Sequence, residues 1–307
     1  MEGTRIIYRI APEDAGLRLR DLAARLAGAA GDVAAARGGA WLDGHRVSDT
    51  DAPAPAGATL TLRFPPADGY AEVTITAEDL AYEDAWLIAV HKRAGWYVGA
   101  TPWDARGNVL AALGRYLGAR DGVAPPLHLA HQLDRDTSGL LLVSKAPAAN
   151  AGLQAAFATG EVAKTYFGLC AGRPGWSAME LRTGHGRAAG GRWRIYPLEA
   201  VGQALPEGGG RVREAHSSFR VGRTLNDATL IVAVPHTGRT HQIRLHLAHL
   251  GHPLLGDTRY GGPASYAGQR LPGHLLHAAE LRLRHPITGV RLTLASPAPR
   301  LFEAFLR

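Results

Sequence analysis

Residues 128–145, HLAHQLDRDTSGLLLVSK, constrain this chain more than any other stretch. An apolar run ending in His131 leads into a compact polar turn, Asp134-Arg135-Asp136-Thr137-Ser138-Gly139, which opens into the uninterrupted apolar run Leu140 to Val143. Apolar runs this short, bounded by turn residues, read as buried strands, so the segment is expected to run strand, turn, strand. Turn chemistry by itself assigns Asp134 or Asp136 to a local cap and lets Thr137-Ser138-Gly139 close the loop.

The chain has 307 residues, 46% of them hydrophobic, which accommodates one large domain and a smaller one. No stretch reaches the roughly 18 consecutive apolar residues of a membrane span, and the start MEGTRIIYRIAPED lacks a basic segment followed by an apolar core and a cleavage site. A cytoplasmic protein with no membrane contact is expected. The lone cysteine, Cys170, excludes an intramolecular disulfide and a cysteine-based zinc cluster, and its apolar setting marks it as a core residue.

The net charge of +7 suits a polyanionic partner, and its distribution matters more than its sum. Residues 1–70 carry 8 arginines against 9 acidic residues, a net of −1, which leaves 26 basic and 18 acidic residues, or +8, on the larger segment. Only Lys92, Lys145 and Lys164 among the 34 basic residues are lysines. Arginine suits phosphate binding and base stacking better than lysine does.

Residues 6–10 read as a strand, Ala15 to Leu26 as an amphipathic helix, and Val33 to Arg37 as a second short helix. Asp43-Gly44 signals a two-residue hairpin, Gly57 to Phe64 alternates as a strand, and residues 65–69 read as a linker. This divides the chain into a small α/β domain over 1–70 and a larger one over 71–307. In the larger segment Val73 to Ile75 and Leu87 to His91 read as strands, Asn108 to Leu117 and Ala148 to Phe157 as helices, and Lys164 opens another strand. Residues 184–217, with Gly190-Gly191-Arg192-Trp193 and Gly208-Gly209-Gly210-Arg211, read as a mobile basic hairpin region without a phosphate-loop pattern. Thr237 to Gly251 reads as a turn and a helix with Thr240 as N-cap and Ile243, Leu247 and Leu250 on the buried side. His241, His246, His249 and His252 raise the question of a metal, but the pair His246/His249 lacks a converging carboxylate or thiolate, so no metal is expected.

Taken together, these strings resemble the RluA-type pseudouridine synthases. HQLDRDTSG is similar to that family's H-R-L-D-x-x-T-S-G, Lys92-Arg93-Ala94-Gly95 to K-P-A-G, and Lys164-Thr165-Tyr166 to K-x-Y. TGRTHQIR, residues 237–244, matches T-G-R-x-H-Q-I-R, with a G-H-P-hydrophobic-G-D continuation, and Leu276-His277-Ala278 and His285-Pro286 match the closing elements. The motifs occur in the family's order over about residues 75–305. The resemblance implies an α+β pseudouridine synthase fold with a mixed, mainly antiparallel central sheet and a basic cleft. It makes Asp134 the catalytic carboxylate, Tyr166 the aromatic facing the target base and Arg244 the buried basic partner of Asp134. Gln132, Arg135, Thr137, Arg239, His241, Gln242 and the packing residue Leu276 are the expected substrate contacts. Residues 15–64 resemble the small S-four-like RNA-binding module, whose positive face would be formed by Arg18, Arg20, Arg25, Arg37 and Arg46. That module points to ribosomal rather than transfer RNA. Two positions depart from the family: Arg93 stands where proline is usual, and Gln132 where an arginine associated with base flipping is usual.

Isomerising uridine breaks the bond from the base to the anomeric carbon, turns the uracil and rejoins it through carbon 5, with no redox step or cofactor. An ionised carboxylate beside the sugar is needed, as in glycoside chemistry. Asp134 fills that role by attacking the sugar or by removing a sugar proton. To stay ionised when buried it needs a cation, here Arg244. Tyr166 offers a platform for the detached uracil and a group that can help remove the carbon-5 proton. The base must be flipped out of folded RNA at a cost of a few kcal/mol. Gln132 can hydrogen-bond a base edge there but brings no charge. A monomer acting on RNA is expected. The rivals are an RNA-binding or ribosome-assembly factor that kept the fold without catalysis, and a glycosidase-like enzyme, for which Asp136 is poorly placed as second carboxylate.

Overall fold

The computed structural model describes residues 4–67, 69–188, 192–205 and 210–306. Its chain divides into two compact units, one of Met1–Ile75 with Trp96–Ala124, the other of Thr76–Gly95 with Pro125–Arg307. The first unit thus takes in a segment, 96–124, that the sequence reading assigned to the larger domain.

In the first unit a four-stranded antiparallel sheet is built from β1 (Arg5–Arg9), β2 (Ala40–Leu42), β3 (His45–Arg46) and β4 (Thr59–Arg63), in the order β1-β4-β2-β3. Helix α1 (Leu19–Arg37) begins later than the expected Ala15 and is interrupted at Ala27 and Gly28, ahead of the Val33 expected to open the second helix. Asp43 and Gly44 both adopt positive φ, as the β2–β3 hairpin requires. Leu19, Leu22 and Ala23 of α1 pack with Leu60 and Leu62 of β4. Helix α2 (Val109–Asp121) begins where the Asn108 side chain accepts from Ala111 N, 3.0 Å, one residue later than expected. Val73 and Ile75 are buried but form no ladder, correcting the strand expected there.

The second unit is organised around a mixed sheet. Its strands are β5 (Leu80–Glu83), β6 (Leu87–Lys92), β7 (His128–Leu129), β8 (Ser138–Ser144), β9 (Ala163–Ala171), β10 (Ala178–Arg187), β11 (Trp193–Tyr196), β12 (Arg213–Thr224), β13 (Ala228–Pro235), β16 (Leu276–Arg284) and β17 (Arg291–Ala295). A separate hairpin pairs β14 (Ser265–Tyr266) with β15 (Gln269–Arg270). The main path runs β11-β10-β12-β13-β9-β16-β8-β6-β5, and β16 with β8 is the parallel pair in it. The α+β class and the mainly antiparallel sheet are as expected.

All seven residues of β8 are buried, which explains its unbroken apolar run. Leu140 and Leu142 pack with Ala149 and Leu153 of helix α3 (Pro147–Thr159), and each such leucine contributes about 1.5–3 kcal/mol. The strand before the turn covers only His128–Leu129, since His131 turns away to accept the Leu142 N–H at 2.9 Å through Nε2. Helix α5 (Arg300–Leu306) closes a second core, in which Phe302 packs with Leu169, Leu255 and Leu275. Helix α4 (Gln242–His249) has His241 rather than Thr240 at its N-cap position, and the His241 side chain makes no capping bond. Of the Gly-rich region, β10 and β11 form an antiparallel hairpin, while Gly190, Gly191, Gly208 and Gly209 lie outside the described residues.

Candidate active site

The Asp134 turn is pinned from beneath. Thr137 N donates to Asp134 O at 3.1 Å, and the Arg135 carbonyl accepts from Gly95 N at 2.9 Å and from Lys92 Nζ at 2.7 Å. Lys92 ends β6, is 1% exposed and is pushed down to about 7 by burial, against the charges of Asp136 and Asp134. Beyond the turn Gly139 has φ +107 and lies against the Ala278 backbone, so a side chain there would meet the β16 main chain. Only glycine lets the two parallel strands approach at this point.

Arg244 reaches Asp134 from α4. Its Nη1 donates to Asp134 Oδ2 at 2.9 Å, while Nε and Nη2 donate to Asp257 Oδ2 and Oδ1 at 2.7 and 2.8 Å. Arg244 is 7% and Asp257 2% exposed. This fork is the bidentate geometry that a planar guanidinium favours. The Tyr260 ring lies 5.0 Å from the guanidinium carbon, completing a cage for the cation.

Burial works to raise the Asp134 carboxyl, yet the positive groups around it hold it below the usual carboxylate range. Arg244 carries that effect at neutral pH. His241, whose Nε2 stands 3.8 Å from Asp134 Oδ1, is itself pushed down to about 4 by burial and is neutral there. His274 is likewise pushed down to about 4 by burial and bonds Thr137 Oγ1 at 2.8 Å. His241 takes a left-handed φ of 57° and bonds the Tyr260 hydroxyl through Nδ1 at 2.7 Å, so a strained residue is held against the carboxylate from two sides.

Tyr166 comes from β9, where it pairs with Ala278 of β16 and Ala233 of β13. Burial, then the Asp134 charge, push its phenol well above the usual range, so it is protonated at neutral pH. That state suits a platform rather than a phenolate base.

A cavity of about 820 Å³ brings most of the expected residues together: Gln132, Asp134, Thr137, Tyr166, Arg239, His241, Gln242, Arg244 and Leu276 all line it. Arg135 is not among them; its Nε pairs with Asp136 Oδ1 at 2.8 Å. Gln242 lines the wall with its amide already used, donating to His216 O and Ser217 Oγ and accepting from Thr237 Oγ1 and Arg239 N. It staples the start of α4. In the first unit Arg18 and Arg20 pair with Asp21 and Asp51, Arg25 with Asp14, and Arg37 with Asp104 and Glu72. Arg46 is spent on the Gly38 and Thr101 carbonyls and the Trp41 ring. The expected positive face is therefore largely neutralised. Asp257, His274 and the buried Lys92 are site residues to which sequence reasoning gave no role; the Gly-Asp after the GHPLL run was the visible signal for Asp257.

A carboxylate kept ionised by a caged arginine, in a cavity that a neutral phenol also lines, fits uridine chemistry, and among the described lining residues there is no second acid of the kind glycosidases use. Residues 86–249 match the family model described as RNA pseudouridylate synthase. Over 263 residues, 74% of each chain, the sequence is 36% identical to RNA pseudouridine synthase 1 of Oryza sativa subsp. japonica. The chain belongs to the RNA pseudouridylate synthase family. Ribosomal large subunit pseudouridine synthase D of Vibrio parahaemolyticus is 33% identical over 231 residues, 72% of this chain and 67% of that protein. The solved structure of human RNA Pseudouridylate Synthase Domain Containing 4 shares the fold, with a TM-score of 0.58 at 23% identity over 75% of this chain and 92% of that one. This RNA pseudouridine synthase is an isomerase that converts uridine to pseudouridine within RNA.

Proposed function

We propose that Asp134, Arg244 and Tyr166 form the isomerising centre and that its target is a uridine in ribosomal RNA. The observation that carries the proposal is the 2.9 Å contact of Asp134 with an arginine fixed by Asp257, in the cavity that Tyr166 also lines. A uridine flipped into this cavity would bring its sugar to the carboxylate. Asp134 either bonds to the anomeric carbon as the base departs or takes a proton from the sugar; in both routes the carboxylate gives up its charge, the base–sugar bond breaks and the uracil leaves with the electron pair as an anion. The freed uracil turns against the Tyr166 ring, bonds through carbon 5, loses the carbon-5 proton and gains one on nitrogen. Because the Tyr166 phenol is held protonated, the carbon-5 proton leaves to another acceptor, for which the returning Asp134 carboxylate is in reach.

The ribosomal target rests on likeness to the Vibrio enzyme and on the +8 carried outside residues 1–70. A cytoplasmic setting fits the lone buried Cys170, and a monomer is the state we propose; among the described residues no helix is long and apolar enough to cross a membrane. Pseudouridine mapping of ribosomal and transfer RNA tests the proposal in cells with the gene, without it, and with Asp134→Ala. A ribosomal uridine modified only with Asp134 intact supports it. An Asp134-dependent site in transfer RNA alone moves the target, and identical maps sink the catalytic assignment.

A further inference from the structure

The cavity is not evenly charged. Lys164, Arg213 and Arg239 line it together, and within it Lys164 stands apart: 8% exposed, with no carboxylate within ion-pair distance among the described residues. Lys164 and Tyr166 are alternate residues of β9, so both side chains leave the same face of the strand and enter the same cavity. A side-chain carbon at Gly238 would lie 3.9 Å from Lys164 Nζ, which places the ammonium beside the turn that bears Arg239. Burial and then the Arg239 charge both press Lys164 down, and no acid lifts it. Arg239 is pressed down by burial and then by Arg213, with Glu214 opposing. The Glu214 carboxylate is engaged elsewhere, 2.7 Å from Arg182, while its carbonyl fixes Arg239 Nε at 3.1 Å and leaves the outer guanidinium nitrogens free of protein acceptors among the described residues. Burying one cation beside a second, which itself faces a third, without a counter-charge is costly, and the cost is met when an anion enters.

We propose that Lys164, Arg213 and Arg239 form a subsite for a phosphodiester of the RNA backbone next to the uridine held at Asp134. The subsite depends on the isomerase centre only for which nucleotide it neighbours. Arg213, exposed at the start of β12, meets the phosphate from solvent, and Lys164 meets it from within. Anchoring the backbone here supplies on the Arg239 side a hold that neutral Gln132 cannot.

Lys164→Met and Arg213→Gln test it, with RNA affinity measured from 50 to 300 mM KCl and single-turnover rates at saturating RNA. The probe is an RNA oligomer carrying the mapped uridine or, if no Asp134-dependent uridine is found, an oligouridylate, so binding is read whether or not the catalytic assignment holds. Losing one phosphate contact is expected to flatten the slope of log Kd against log salt by about 0.7 to 1 and to weaken binding about tenfold at the lower salt. The rate at saturation should stay within about threefold, and Asp134→Ala should keep the full slope. A methylphosphonate in place of the neighbouring phosphate should weaken wild-type binding and leave Lys164→Met unaffected. An unchanged slope in both variants overturns the proposal. So does a variant that loses competition by inorganic phosphate while binding RNA as before, which would mark a free-anion site. A fall in rate alone would make Lys164 part of the chemistry instead.

Discussion

Asp257 is not among the residues lining the Asp134 cavity, yet it fixes the cation on which Asp134 relies, which makes Asp257→Asn an informative perturbation. The amide keeps the shape and one acceptor but sets an NH2 group against a guanidinium N–H and removes the charge. Breaking a buried pair costs about 3–5 kcal/mol, and with one acceptor retained about 3 kcal/mol is expected. For a unit of this size each kcal/mol lowers Tm by roughly 2–4 °C, so a fall of about 6–12 °C should appear by calorimetry. Arg244, held now by one bond to Asn and one to Asp134, loses its fixed plane, and displacement by about 1 Å slows a positioned reaction on the order of 100-fold. Single-turnover kinetics should show that loss at saturating RNA, with RNA affinity within about threefold of wild type. Lysine at 244 should not restore the rate, since it cannot span both carboxylates. The reasoning is refuted if Tm falls while the saturated rate stays within threefold, or if affinity drops tenfold with the chemistry intact.

Tyr166→Phe should keep RNA affinity and most of the saturated rate, because the protonated phenol is used as a surface, whereas Tyr166→Ala should lose about 1–3 kcal/mol of stacking in the same assay. A rate for Tyr166→Phe near zero would show that the hydroxyl moves a proton. The carboxyl of Asp134 lies below its usual range, so the saturated rate should not fall from its ionisation between pH 8 and 5; a loss centred near pH 6 in an RNA-independent manner would contradict the Arg244 assignment. Lys92, at about 7 in the fold and 10.5 unfolded, leaves the unfolded chain holding more protons between those values. Wild-type stability relative to Lys92→Met should thus rise with pH from 7 to 10, by urea denaturation at each pH, and a flat difference would mean that Lys92 stays charged. Arg18→Glu with Arg20→Glu should leave RNA affinity within about threefold, since both already face acids; a tenfold loss would restore the RNA-binding face expected for residues 15–64.

The residues proposed for the isomerising centre were legible because their neighbours in sequence are also their neighbours in space. Asp134 sits in its own turn, Tyr166 on a strand start and Arg244 one helical turn past the TGR run, and each motif names its residue without the others. What the motifs could not convey is convergence over distance. Asp257 holds Arg244 from 13 residues on, and His274 reaches Thr137 across 137. Lys92 was visible as a motif lysine, but its burial under the Arg135 carbonyl depends on how β6 pairs with β8. The N-cap position of α4 moved to His241 because a positive φ, invisible in composition, aims that ring at Tyr260 and Asp134. Of the N-terminal arginines read as a binding face, Arg18, Arg20, Arg25 and Arg37 are paired with acids, and the −1 balance of residues 1–70 already said that acids were there to meet them. Residues 96–124 joined the first unit through contacts that no local pattern announces.

The most direct test is the purified enzyme on ribosomal RNA carrying its mapped uridine, wild type against Asp134→Asn, with pseudouridine and bound RNA both measured. The account predicts conversion by wild type, none detectable by Asp134→Asn, and the same RNA affinity for both. Conversion by Asp134→Asn at the wild-type rate would contradict it, because an amide in that place can neither bond to the sugar nor take its proton.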